Sequence, residues 1–386
     1  MNEEYSLSCL NVGHRGDDVC FVNERWNAIF SMDKKNFKVK YEDFPRKYFG
    51  NGRCYTRVAV WKDKLLLIPM MYPIPLYFIE NGEHRLVSLP KSIKSTVLGF
   101  RSMIQILHHV YLFVKDSSLI CLDIDMKTES ISLVDGWEKV CSSRRGESYD
   151  VGMLAFSSGY IWSIVRGTSY IVAMDILSLS VKLYDMGENV TFDYCIQVKN
   201  GYGYAFANNS SCIVSFLIAN PYRWKEINLK RYIGNRKYES FIIDDNVVYL
   251  FPFGGQDLIM IDLLSNNVIT IDYPAGFSWL EDERFKRGNR FYCIEEMNNE
   301  IYLYPRTGNG IIVIDKANNR TRLYKMEADI ENIKRRQAKE VDVCRVDGTI
   351  DDISFFVEML IHNRLKKSSV TGDYITCGSQ IYNTIK

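Results

Sequence analysis

A unit of about 47 residues recurs seven times in this chain, and that period constrains the fold more than any single motif does. The clearest copies are "VYLFPFGGQDLIMIDLLSNNVITIDY" (248–273) and "IYLYPRTGNGIIVIDKANNRTRLY" (301–324). Tyr249 aligns with Tyr302, Pro252 with Pro305 and Asp262 with Asp315; the aromatic precedes the Asp by 13 residues in both. Trp162 and Asp175 repeat this spacing, and Tyr111 precedes a choice of Asp123 or Asp125. Tyr204 leads to Leu217 where the Asp belongs, Leu66 leads to Glu80, and Cys20 leads to Asp33. Six steps from Asp33 to Asp315 cover 282 residues, a mean of 47. Repeats of this length signal propellers or solenoids.

Each unit reads alike inside. Its apolar runs are short, alternating and rich in Val, Ile, Tyr and Phe, which is the strand pattern. Three residues before each anchor stands a turn former: Asp17, Asp63, Gly159, Gly201, Asn246 or Asn299, with His108 the exception. Eleven residues before the anchor comes Tyr55, Phe100, Tyr238 or Phe291, with Cys9 in the first copy. Tyr149 and Phe192 are slipped by one or two residues. The pattern predicts four antiparallel strands per unit with no helix between units, hence an all-β seven-bladed β-propeller over 4–327. Each Asp at the end of a third strand is expected to cap the following turn through backbone N–H groups, not to do chemistry.

This organisation resembles the seven-bladed propellers of the broad Kelch, WD40 and YVTN-like class. The "YLFP…I.ID…N" unit is similar to divergent propellers of low-GC Gram-positive bacteria, some of which accompany surface-polysaccharide genes. The WD40 "GH…WD" signature and the Kelch paired-glycine motif are absent, so the resemblance implies a bacterial repeat scaffold and no particular ligand.

Composition removes several function classes. Lys+Arg 48 against Asp+Glu 47 gives a net charge of +1, so no nucleic-acid partner is expected. No apolar run is long enough to span a membrane, and the acidic beginning does not read as a signal peptide. The ten cysteines form no CxxC pair and read as reduced thiols, which places the protein in the cytoplasm. Nucleotide, zinc-protease and nucleophile-elbow motifs are missing, and no cofactor is expected. Among five histidines, His108 and His109 are adjacent; on a strand they would face opposite sides and could not share a metal. By the repeat, His108 falls in a turn.

The remaining 328–386 reads as a helical tail. "TIDDISFFVEMLIHNRLKK" has a capping box at Thr349 and Asp352 and an apolar stripe of Ile353, Phe356, Val357, Leu360 and Ile361. The stripe is expected to pack on the propeller or across the seam of its first and last blades, with tail-mediated dimerisation as the alternative.

Two sets of residues remain as site candidates. The segments leading into the inner strands carry Arg57, Arg101, Asp150, Asp193, Glu239 and Arg290, which would converge on the central funnel. The longer inter-blade segments offer Trp137 with Arg144 and Arg145, and Trp279. Long loops on a rigid ring commonly carry binding residues, and Trp near Arg suits a sugar or a protein. The chain therefore reads as a non-enzymatic propeller presenting a protein- or glycan-binding face. The alternative is a carbohydrate-active lyase or hydrolase, with Asp150, Asp193 or Glu239 as acid or base and Arg101 on a sugar carboxylate.

Overall fold

The computed structural model describes residues 9–23, 28–45, 55–69, 74–87, 89–90, 100–114, 120–137, 151–252, 257–279, 291–306, 308–326, 328 and 333. Contacts divide the chain into two compact units, Met1–Asp342 and Val343–Lys386. The second unit, and with it the expected tail helix, lies outside the described residues.

The first unit is a seven-bladed β-propeller. Seven four-stranded antiparallel sheets follow one another, each with its strands in chain order: 12–43, 55–87, 100–134, 155–185, 192–228, 238–271 and 291–325. The repeat register holds in atomic detail. The anchor of every second strand pairs with the residue two before the Asp position: Cys20 with Ser31, Trp162 with Ala173, Tyr249 with Met260, Tyr302 with Val313. Tyr111 pairs with Asp123, which assigns the Asp position of blade 3 to Asp125.

The capping reading holds at five blades. Asp33, Asp125, Asp175, Asp262 and Asp315 each accept the backbone N–H two residues on, at 2.7–2.9 Å. The residue four after each Asp is left-handed: Phe37, Glu129, Leu179, Asn266 and Asn319 have φ of 55–59°. The two copies without Asp turn differently. Glu80 is followed by Asn81 (φ 50°) and Gly82 (φ 76°), a two-residue hairpin that needs no carboxylate cap. Leu217 sits at a register shift and pairs with Asn220.

Both hairpin turns of a blade lie at the same end, because the outer turn donates to the inner one. Met126 N–H donates to His108 O (2.8 Å), Ile176 N–H to Gly159 O (3.0 Å), Leu263 N–H to Asn246 O (2.8 Å) and Lys316 N–H to Asn299 O (2.9 Å). This end is termed the turn face; the other, where the chain enters each first strand, is the lead-in face.

The core lies between blades. Phe100 packs with Leu66 and Phe78 between blades 2 and 3, and Phe192 and Phe216 pack with Trp162 between blades 4 and 5. The aromatics expected at the start of the inner strands, Tyr55, Phe100, Phe192, Tyr238 and Phe291, are all buried. Gly203 is required at the blade 4–5 wall, since a Cβ there would overlap the Phe216 ring. Blades 7 and 1 meet through Tyr304, Ile311, Val313 and Met326 against Phe21 and Phe30, with Ile333 beyond the last strand joining the same cluster. Among the described residues no strand is exchanged across this seam. Apolar burial, worth about 25 cal/mol per Å², acts at this seam together with the backbone bond from Cys9 N–H to Pro305 O.

Candidate functional site

On the turn face, charged residues from three blades meet in one network. Lys199 ends the strand Phe192–Lys199, Asp244 ends Tyr238–Asp244, and Glu296 lies near the end of Phe291–Met297. Lys316 follows the capping residue Asp315. Lys199 Nζ lies 2.6 Å from Asp244 and 2.9 Å from Glu296; Lys316 Nζ lies 2.6 Å from each. Strand alternation aims the neighbouring Glu295 the other way, toward blade 1. There it meets His14 Nε2 at 2.6 Å and accepts from Tyr304 Oη at 3.1 Å, while Lys34 Nζ approaches His14 Nδ1 at 2.9 Å. A third network ties blade 2 to blade 3: Lys64, 5% exposed, donates to Glu129 at 2.7 Å, and Arg85 donates to the same carboxylate at 2.5 Å.

These networks are electrostatically closed. Hydrogen bonds from Lys199 and Lys316 hold the Asp244 carboxyl below its ordinary value. Burial pushes Glu295 and Glu129 upward, but their hydrogen-bond and ion-pair partners outweigh it and both end below the usual range. Burial lowers Lys199 and Lys316, and their carboxylate partners more than reverse it, so both are raised. Such carboxylates stay ionised and such lysines stay charged near neutrality. Neither is suited to proton transfer, whose best catalysts titrate near the working pH. This belt locks blade to blade.

Around it the turn face presents apolar side chains to solvent. Leu107 (79% exposed) is the first residue of the blade 3 inner turn, and Leu177 (92%) and Leu264 (74%) lie in the outer turns of blades 4 and 6. Phe156 and Tyr202 flank the inner turns of blades 4 and 5 and are also exposed. Leu107 adopts φ 55°, a conformation that disfavours Leu. The equivalent residues elsewhere are Gly16, Lys62, Ser158, Asn200, Asp245 and Asn298.

Of the residues expected from sequence at the strand entries, Arg57, Arg101, Asp193 and Glu239 are among the described residues. Arg57 donates to the backbone oxygen of Phe100 (3.2 Å), tying blade 2 to blade 3. Asp193 accepts the Ser210 N–H at 2.5 Å. It thereby braces Asn208, Asn209 and Ser210, three consecutive left-handed residues with φ of 55°, 58° and 62°. Burial nonetheless pushes its carboxyl above the ordinary value, against those backbone N–H groups, Arg166 and Lys237. Glu239 is half-buried beside buried Tyr238. Arg101 lies in the strand Phe100–Ile106. Asp150, Arg144, Arg145 and Arg290 lie outside the described residues, so the expected convergence of three carboxylates is not part of the observed geometry.

The two candidate tryptophans, Trp137 and Trp279, are packed. Trp137 is 1% exposed and meets Phe113 edge-on at 4.8 Å. The expectation of an exposed binding ring at Trp137 is corrected: its indole lies in the blade 3–4 core. Trp279 is half-buried against Phe277 (5.0 Å) and Phe291 (5.2 Å), between blades 6 and 7.

A second correction concerns the histidines. His108 is in a turn, as the repeat predicts, but its ring lies 4.4 Å from that of His109. Strand alternation separates neighbours only where both are in a strand, and a left-handed Leu107 breaks it here. The sequence signal was available: blade 3 alone replaces the small turn former with His.

No family model matches the chain, and no curated protein matches it. Solved structures do. Virginiamycin B lyase from Staphylococcus aureus superposes with a TM-score of 0.56 at 9% identity, over 80% of this chain and 97% of that one. YCF48 from Cyanidioschyzon merolae gives 0.57 at 9% identity, over 80% and 95%. YCF48 bound to D1 peptide gives 0.54 at 9% identity, over 81% and 93%. At such identities the likeness is one of fold. No helix among the described residues is long and apolar enough to cross a membrane.

Proposed function

We propose that this chain is a non-enzymatic β-propeller that binds a protein or glycan partner through its turn face, with a protein the better fit. The observation that supports this is the set of exposed leucines at turn positions. Leu107 gains nothing from burial and is held in a conformation that disfavours it, so its presence is best accounted for by an intermolecular contact. The charged belt beneath supplies a rigid base and a polar rim. The likeness in fold extends both to a lyase and to a peptide-bound protein and does not choose between them.

The test is a triple substitution, Leu107→Asn, Leu177→Lys and Leu264→Lys, compared with wild type in pull-downs from the native host and on a glycan array. Loss of a partner at unchanged melting temperature supports the reading. Retention of every partner sinks it, and loss of array binding alone assigns a glycan. The cytoplasm is the proposed location, in keeping with free, buried Cys9, Cys20, Cys121, Cys195 and Cys212. A dimer through the tail belongs to the same proposal and is read by sedimentation.

A carbohydrate-active lyase or hydrolase is the second reading. The raised carboxyl of Asp193 favours it, and Asp193→Asn assayed on acidic polysaccharides tests it.

A further inference from the structure

Seven copies of one scaffold act as internal controls, and blade 3 departs from them at three positions that meet in space. The inner-turn residue is Asp17, Asp63, Gly159, Gly201, Asn246 or Asn299 elsewhere and His108 here. The next residue is Asp18, Lys64, Tyr160, Tyr202, Val247 or Glu300 elsewhere and His109 here. Two before the capping position stands Ser31, Phe78, Ala173, Ser215, Met260 or Val313 elsewhere and Asp123 here. Neither turn formation nor packing, which the other six blades achieve without them, calls for two imidazoles and a second carboxylate at this spot.

We propose that His108, His109 and Asp125 form a binding site for a divalent transition-metal ion of the zinc class. One ligand atom from each lies within 4.8 Å of the others. His109 Nδ1 is 2.8 Å from Asp123 Oδ1. That contact fixes the tautomer and frees Nε2 for a metal, the usual arrangement of a carboxylate behind a ligating histidine. Asp125 Oδ2 accepts from Thr128 Oγ1 at 2.9 Å and keeps a lone pair, while Oδ1 accepts from Lys127 N–H at 2.7 Å. His108 Nε2 stands 3.9 Å from Asp125 Oδ1. Metal–nitrogen bonds of about 2.1 Å at tetrahedral angles require ligand atoms about 3.4 Å apart. The half-exposed His108 ring closes that gap by rotating about its own torsions.

The backbone is already set. The bond from Met126 N–H to His108 O clamps the inner turn to the Asp125 loop, and Gln105 Nε2 donates to Leu107 O at 2.9 Å. Three protein donors of N, N and O type suit Zn²⁺, Co²⁺ or Ni²⁺ and leave a position for water or a group from outside.

The full chain is titrated with Zn²⁺ by calorimetry and with Co²⁺ by visible spectroscopy, the latter because thiolate ligation would announce itself by charge-transfer bands. The decisive variant is His108→Asn, which restores the residue that blades 6 and 7 carry at Asn246 and Asn299, so folding is preserved. One equivalent of Zn²⁺ is expected in wild type, with affinity at least ten-fold lower in His108→Asn and His109→Gln. Asp123→Asn lowers it by about 10–100-fold while sparing the ligands themselves. A Zn²⁺-dependent rise in melting temperature seen in wild type and lost in His108→Asn is the second readout. Absence of binding in wild type, equal affinity in His108→Asn, or thiolate bands in the Co²⁺ spectrum overturns the site.

Discussion

The two faces of the ring carry similar charges and use them in opposite ways. On the turn face, Asp244 shares two lysines with Glu296, and its carboxyl is held down. On the lead-in face, Asp193 is spent on backbone N–H groups, with cations only at a distance, and burial pushes its carboxyl up. The lesson is that the direction of a carboxyl shift follows from what the loop needs. A two-residue inner turn satisfies its own backbone and leaves side chains free to pair across blades. The left-handed run at Asn208–Ser210 turns N–H groups toward Asp193, whose carboxylate accepts from them.

The comparison can be broken most sharply at Gly203, beside the turn-face end of blade 5. Gly203→Ala drives a methyl into the buried Phe216 ring and should cost about 3 kcal/mol, read by urea unfolding. A cost near zero would show that the blade 4–5 wall yields. Lys316→Ala leaves Asp244 and Glu296 with Lys199 alone. It should cost about 2 kcal/mol, less than a fully buried pair because its carboxylates are partly exposed. Equal stability at low and high salt in wild type would argue against any such network.

Asp315→Ala removes one turn cap and should cost about 1 kcal/mol without altering binding. Full stability with loss of all function would reverse the capping assignment.

The smallest effects separate the faces by pH. Asp244 has a depressed folded value, so its stabilisation is complete above the unfolded carboxylate value and is lost as pH falls through the folded one. Asp193 has a raised folded value, so its ionisation destabilises the fold as pH rises above the unfolded value. Asp244→Asn should therefore lower the melting temperature at neutral pH and lose its effect in acid. Asp193→Asn should raise it slightly at neutral pH, because an amide oxygen still accepts from Ser210. Parallel pH profiles for the two variants would remove the distinction drawn between the faces.

Much of the architecture was legible because it is local. Strand alternation, the turn formers three residues before each anchor and the Asx caps depend on residues a few positions apart, and the structure places them as the repeat predicts. The ambiguity between Asp123 and Asp125 was a one-loop question that pairing with Tyr111 answered. The candidate sites were less legible. Trp137 looked like an exposed loop residue because its segment lacks strand periodicity, yet a residue just past a strand can bury its indole as readily as one within it. His108 and His109 were separated by a rule that holds only inside strands.

What the sequence by itself determined is the number of blades, the four strands of each, and the backbone role of the recurring Asp. These follow from propensity and period, which act within one repeat. Tertiary structure alone decided which charges meet. Lys199, Asp244, Glu296 and Lys316 come from three blades, and nothing in any one repeat announces that they share one network. It also decided that Leu107, Leu177 and Leu264 lie on one face, and that His108, His109 and Asp125 lie together. Such contacts depend on how blades are packed side by side and on how each turn is clamped to its neighbour. A linear period does not encode those relations.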